Sequence, residues 1–105
     1  MTFHVYILRC SDGSYYVGHT DNLEARVASH QRGEIEGYTQ TRRPVRLVFA
    51  AEFRTRDEAL SRERQLKGWS RAKKEALIKG NWSRIQRLSR STRAAGPSAG
   101  SGPAS

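Results

Sequence analysis

Two short runs, Phe3 to Cys10 (FHVYILRC) and Tyr15 to His19 (YYVGH), flank the tetrapeptide Ser11-Asp12-Gly13-Ser14, and this pairing leaves the chain few folds to choose from. Both runs are rich in β-branched and aromatic residues and the segment between them is turn chemistry, so they predict a β-hairpin. Two registers compete. A two-residue Asp12-Gly13 loop pairs position 6 with 19 and sends Tyr6 and Tyr16 to opposite faces. A three-residue Ser11-Asp12-Gly13 loop, a type I turn followed by Gly13 in the left-handed conformation, pairs 10 with 14 and 6 with 18. Tyr6 and Tyr16 then share a face as diagonal neighbours about 7 Å apart, with Gly18 leaving space beside the Tyr6 ring. We expect the three-residue loop, with Phe3, Val5, Ile7 and Val17 on the other face. Val45 to Phe53 alternates, with Val45, Leu47, Phe49, Ala51 and Phe53 on one side, and reads as a third strand.

Helical patterns fill the rest. Asp21 as N-cap with Glu24 three residues on, and Gly33 as the stop, predict a helix over 22–32. Arg26 and His30 flank its apolar stripe of Leu23 and Val27, one turn apart, so both can reach one point in space. Thr55 with Glu58 forms a capping box that opens a helix over 55–67. On its wheel Leu66, Ala59, Glu63 and Leu60 fall within an arc of about 120°. Glu63 is therefore a charge inside an apolar stripe, and a carboxylate that loses water requires a cation, either a metal or a structural partner such as an arginine. Ser70 caps a further helix over 70–79, with Ala72, Ala76 and Leu77 inward. Asn81 to Leu88 suggests a short last helix through Trp82, Ile85 and Leu88.

The 105 residues fit one modest domain over 1–90, and no run reaches the roughly 18 apolar residues of a membrane span. No signal peptide precedes Phe3, and the single Cys10 cannot form an internal disulfide; both features suit a reducing cytoplasm. The net charge of +9 is uneven: residues 1–80 hold 15 basic side chains against all 10 acids, and residues 81–105 add Arg84, Arg87, Arg90 and Arg93 with no acid. Polyanions are the partners such a charge favours. Residues 91–105, Gly/Ser/Pro/Ala-rich from Ala94, cannot bury a core and are expected to be a disordered tail.

His4-Val5-Tyr6, nine residues, then Tyr16-Val17-Gly18, with Arg26 and His30 on the next helix and Glu63 on a later one, resembles the signature of the GIY-YIG nuclease superfamily. The likeness covers about residues 3–80, and GYTQTRRPVRLVF with the E-x-Q-L-K-G-W-S-R run is similar to the small stand-alone bacterial members. His4 and Val5 depart from the family's usual glycine and isoleucine. The resemblance implies an α/β fold, a three-stranded, mainly antiparallel sheet flanked by helices. It also implies a monomeric, metal-dependent endonuclease hydrolysing phosphodiester bonds in DNA or another nucleic acid, in repair or processing.

In that frame Glu63 resembles the family's carboxylate ligand for Mg²⁺ or Mn²⁺, and a hard cation that keeps most of its waters requires only one or two such ligands plus phosphate. Tyr6 resembles the group that takes a proton from the attacking water, with Arg26 supplying the cationic field and a fork for the phosphate. Tyr16 and His30 would orient phosphate and phenol, and Gly18 would allow close approach. Tyr6, Tyr16, Arg26, His30 and Glu63 are expected to converge on one partly open cleft, within about 10 Å of a common point. Arg42, Arg43, Arg71, Lys73 and Lys74 are the expected phosphate contacts and should border the cleft, and Arg46 joins them in a module that binds without cutting. Two alternatives stay open: a non-cleaving nucleic-acid-binding module of the same fold, and a structural or interaction domain in which Glu63 pairs with Arg26.

Overall fold

The structure is a computed structural model that describes residues 1–81 and 83–87. Trp82, Leu88 and the segment read as a tail lie outside the described residues. Two compact units are present, Met1–Trp69 and a second that begins at Ser70.

In the first unit β1 (Phe3–Arg9), β2 (Tyr15–Thr20) and β3 (Arg46–Phe53) form one sheet in the order β2-β1-β3, antiparallel throughout. The hairpin takes the three-residue loop. Cys10 N–H donates to Ser14 O at 2.8 Å, Gly13 has φ 84°, and Tyr6 lies opposite Gly18. Asp12 fixes the loop locally, because its Oδ1 accepts from both the backbone N–H and the hydroxyl of Ser14, which holds its carboxyl below the usual range. β3 departs from the simple alternation. Ile7 pairs with Phe49 but Leu8 with Leu47, so a bulge near Val48 inserts one residue and puts Leu47 and Phe49 on opposite faces. Leu47, turned to the Leu8 side on the outer strand, is exposed.

Each face is covered by one helix. On the Tyr6 face, Tyr6, Leu8, Cys10 and Val45 form a buried cluster, against which Tyr16 and the Leu23 and Val27 side chains of α1 (Leu23–Arg32) pack. Burial there pushes the Cys10 thiol up. On the Val5, Ile7 and Val17 face lies α2 (Arg56–Lys67), which spans all three strands and buries Ala59 and Leu66 completely. The α2 capping box forms in full: Thr55 Oγ1 accepts from Glu58 N–H and Glu58 Oε1 from Thr55 N–H. The N-cap of α1 is Asn22 rather than Asp21. Thr20 Oγ1 takes the Asn22 N–H, which leaves Asn22 Oδ1 to accept from Ala25 N–H.

The second unit holds α3 (Arg71–Ile78), capped by Ser70, and helical residues 83–87, capped by Asn81 Oδ1 on Arg84 N–H. Ala76, Leu77 and Ile85 are buried.

Gly18 is a packing requirement of this fold. A Cβ at that position would sit 2.6 Å from the Tyr6 hydroxyl and 2.7 Å from its Cζ. Gly18→Ala should destabilise the protein by about 1–3 kcal/mol through overpacking. Because the hydroxyl is the nearer atom, the penalty should shrink in a Tyr6→Phe background, and denaturant titrations of both singles and the double measure that coupling.

Candidate functional site

Strand register sets the first cluster. Tyr6 and Tyr16 share a face with ring centroids 6.4 Å apart, and α1 brings the His30 imidazole against both, 5.8 Å from the Tyr6 ring and 5.1 Å from that of Tyr16. The Tyr6 hydroxyl lies 2.9 Å from His30 Nε2, and His30 Nδ1 lies 2.7 Å from Thr39 Oγ1. A neutral imidazole has one donor and one acceptor, so the two bonds have opposite senses. With the proton on Nδ1, His30 donates to Thr39 and accepts from Tyr6; the other tautomer reverses both. Tyr6, His30 and Thr39 are each about 1% exposed, whereas Tyr16 is half-buried and marks the solvent side of the group.

Burial dominates the electrostatics here. It raises the Tyr6 pKa well above its ordinary value; Tyr16 and Glu63 act in the same direction, and Arg26 opposes them. Desolvation thus outweighs the cationic field that Arg26 supplies, and the resting phenol is neutral. Burial, assisted by Arg26, lowers His30. Arg26 itself is exposed on α1, and its guanidinium makes no hydrogen bond or ion pair among the described residues, so its donor fork is available to an anion.

Glu63 belongs to a second cluster. It is 8% exposed, in the stripe where the wheel placed it, but it approaches from the face of the sheet opposite Tyr6. Its Oε1 is bonded to His19 Nδ1 and its Oε2 lies 2.6 Å from Lys67 Nζ. Burial pushes the carboxyl up, and the hydrogen bonds and charges of Lys67 and His19 outweigh that and hold it below the ordinary value. The counter-charge is thus Lys67, with His19 a hydrogen-bond partner, and not Arg26. The register explains the arrangement: His19 is the neighbour of Gly18 on the edge strand β2, opposite Val5, so it points to the α2 side. Tyr6 stands over Gly18 on one face, and Glu63 grips His19 on the other. The five expected residues do not share contacts in one open cleft. Tyr6, Tyr16 and His30 touch, while Arg26 and Glu63 act on the Tyr6 hydroxyl through their charges.

The expected phosphate contacts have roles of their own. Arg42 Nε donates to Asp12 Oδ2 and Nη1 to Tyr38 O, and its guanidinium stacks 3.9 Å from the Tyr38 ring centroid. Tyr38 in turn stacks on Tyr16 at 6.2 Å and 24°, so this loop braces the solvent side of the first cluster. Arg43 lies against Gly33 at the C-terminus of α1, where a cation is favoured, and its Nε donates to Gln40 O. Arg46 is exposed at the start of β3. On α3, Arg71 pairs with Glu75, and burial lowers Lys73 and Lys74. Sequence reasoning missed His19, Lys67, Tyr38 and Thr39. Lys67 had a signal, the i,i+4 spacing from Glu63.

No cluster of three or more His, Cys, Asp or Glu side chains with metal-holding geometry occurs among the described residues. Of the expected set Glu63 is the one carboxylate that could hold a hydrated hard cation, and both of its oxygens already face donors, His19 Nδ1 and Lys67 Nζ. Among the described residues no helix is long and apolar enough to cross a membrane.

The sheet, the paired tyrosines and the Arg26, His30 and Glu63 positions define the class: the chain belongs to the GIY-YIG catalytic domain family, whose model matches residues 2–76. Its relatives include a UPF0213 protein of Staphylococcus aureus, 49% identical over 75 residues that cover 71% of this chain and 92% of that protein. The solution NMR structure of UPF0213 protein BH0048 from Bacillus halodurans is 42% identical, covers 75% of this chain and 84% of its own, and has a TM-score of 0.50. That of protein EF2693 from E. faecalis is 34% identical, covers 76% and 85%, and has a TM-score of 0.54.

His30 generates a pH test. Its pKa is lowered in the folded protein, so the unfolded chain binds the proton more readily. The stability it contributes is complete above the ordinary histidine value of about 6.5 and is lost as pH falls toward the lower folded value. The melting temperature of the wild type should decline between about pH 7.5 and 5.5, and His30→Gln should flatten that decline. Parallel slopes in the two proteins would contradict the assignment.

Proposed function

We propose that this protein is a metal-dependent endonuclease that hydrolyses phosphodiester bonds in nucleic acid, with DNA the expected substrate. The observation that supports this most is the coupling of one phenol to every other member of the expected set. Tyr6 bonds to His30, packs on Tyr16, and feels the charges of both Arg26 and Glu63. In a GIY-YIG catalytic domain, a nuclease fold, that grouping matches what phosphodiester hydrolysis requires.

The substrate phosphate would lie at the β2 edge. Arg26, exposed and without an anionic partner among the described residues, would clamp two phosphate oxygens. Glu63 would hold Mg²⁺ or Mn²⁺, whose chemistry there is to neutralise phosphate charge and to acidify a water. Tyr16, at the solvent boundary, would orient the phosphate. Tyr6 would relay rather than store charge: in the tautomer with Nδ1 protonated, its hydroxyl passes a proton to His30 Nε2 as it takes one from the incoming water. No free phenolate is then required, which suits a hydroxyl that burial keeps neutral. Arg42, Arg43, Arg46, Arg71, Lys73 and Lys74 would add phosphate attraction.

A non-cleaving nucleic-acid binder is the second reading, favoured by one observation: both Glu63 oxygens already carry donors. A cleavage panel over single-stranded, duplex, flapped and junction DNA with and without Mg²⁺ or Mn²⁺ separates the two. Glu63→Gln should reduce cleavage by at least about a hundredfold while leaving nucleic-acid affinity within about threefold, since it removes transition-state stabilisation and not the basic surface. Affinity of both proteins should fall steeply with salt. Metal-independent, salt-sensitive binding without any cut product would establish the binder instead.

A further inference from the structure

We propose that Lys67 is a built-in competitor for the cation at Glu63, so that metal occupancy is governed by the departure of its ammonium group. This rests on the reading of Glu63 as the metal ligand. Both carboxylate oxygens are engaged, Oε1 by His19 Nδ1 and Oε2 by Lys67 Nζ at 2.6 Å, and the two donors are unlike in freedom. His19 is fixed to strand β2 and its side chain is 26% exposed; Lys67 is 54% exposed, at the last turn of α2, on a flexible four-carbon stem.

A carboxylate with a side chain only 10% exposed requires a counter-charge at all times. An ammonium and a hydrated divalent cation seek the same lone pairs, and like charges do not share Oε2 at hydrogen-bond distance. Metal entry is therefore an exchange. Lys67 leaves for solvent it already half occupies, at little further desolvation, while His19 keeps its hold on Oε1. The exchange keeps Glu63 ionised and in place when no metal is bound, and it weakens metal binding in the same measure.

Calorimetric titration of the full chain with Mn²⁺ at fixed pH and ionic strength tests this directly. Lys67→Gln should bind Mn²⁺ roughly three- to tenfold more tightly than the wild type, the range of a partly screened charge pair. Lys67→Arg, which keeps the cation, should bind no more tightly than the wild type. Arg64→Gln removes the same charge from an exposed position of α2 that makes no ion pair among the described residues, and should tighten binding less than Lys67→Gln. Circular dichroism in EDTA confirms that each variant is folded, and a second neutral variant, Lys67→Ala, replaces any that is not. Unchanged or weaker binding by the neutral Lys67 variants, or equal tightening by Arg64→Gln, overturns the competition while Glu63-dependent binding by the wild type still stands. If wild type and Lys67→Gln both fail to bind Mn²⁺, or bind it equally well after Glu63→Gln, the metal reading of Glu63 falls and the competition with it.

Discussion

The absence of a side chain at Gly18 is the constraint on which the rest of the site depends. Its Cα lies beneath the Tyr6 ring, and a Cβ there would meet both the Tyr6 hydroxyl and, at 3.1 Å, Tyr16 Cε2. Only because that volume is empty can Tyr6 lie flat enough for its hydroxyl to meet His30 Nε2, and only then does Tyr16 fill the remaining gap beside both rings. The three-residue hairpin loop makes this possible one step earlier, since a one-residue slip would turn Gly18 toward α2 and place His19 opposite Tyr6. Gly13, with its positive φ, thus determines at the turn which residues can meet five positions up the strand.

Local signals were legible and relational ones less so. Thr55 with Glu58 and Ser70 marked helix starts because a cap and its N–H partner lie within one turn. Asp21 and Asn22 are comparable caps, and the choice fell to Asn22 through Thr20 Oγ1, a contact the capping rule does not consider. The hairpin register followed from turn chemistry, and with it the shared face of Tyr6 and Tyr16. The bulge near Val48 was not legible, since an alternating string does not say which residue its partner strand will skip. Glu63 stood out as a charge among apolar positions, yet its partners were missed. Lys67 lies about 40° round the wheel from Glu63, inside the same arc, where a long basic side chain ordinarily reads as reaching for solvent, and His19 becomes a neighbour only once α2 is known to cover the face opposite Tyr6. Tyr38 and Thr39 lie between β3 and α1 in sequence, and their contacts with Tyr16 and His30 are purely tertiary.

The two clusters solve opposite electrostatic problems. Around Tyr6 the dominant force is desolvation, which keeps phenol and imidazole neutral and makes a hydrogen-bonded pair rather than an ion pair the stable arrangement. Around Glu63 desolvation is equally present but is overcome by two adjacent donors, so the carboxylate stays ionised. A neutral acid–base pair and a neutralised anion can lie close together across one strand without repelling each other. Glu63 does raise the Tyr6 pKa, and any cation that strengthens the compensation at Glu63 weakens that effect.

The edge strand β2 lies between the two clusters although they belong to different faces. Among the described residues β2 pairs only with β1, and a sheet edge is ordinarily a place where another chain adds on. Here the edge carries Gly18, which is buried against the Tyr6 and Tyr16 rings and lies between the two clusters. On one side stand Tyr16 and the Arg26 fork, on the other Glu63 with its mobile lysine counter-ion. On the proposed reading a phosphodiester would sit against this edge, with Arg26 on one flank and the cation at Glu63 on the other. The loop that stacks Arg42 on Tyr38 and Tyr38 on Tyr16, anchored to the hairpin tip through Asp12, keeps the tyrosine flank from collapsing onto that edge. Arg42 is thus engaged in holding this wall, whereas Arg26 makes no hydrogen bond or ion pair among the described residues and, on the proposed reading, is the guanidinium left for the phosphate.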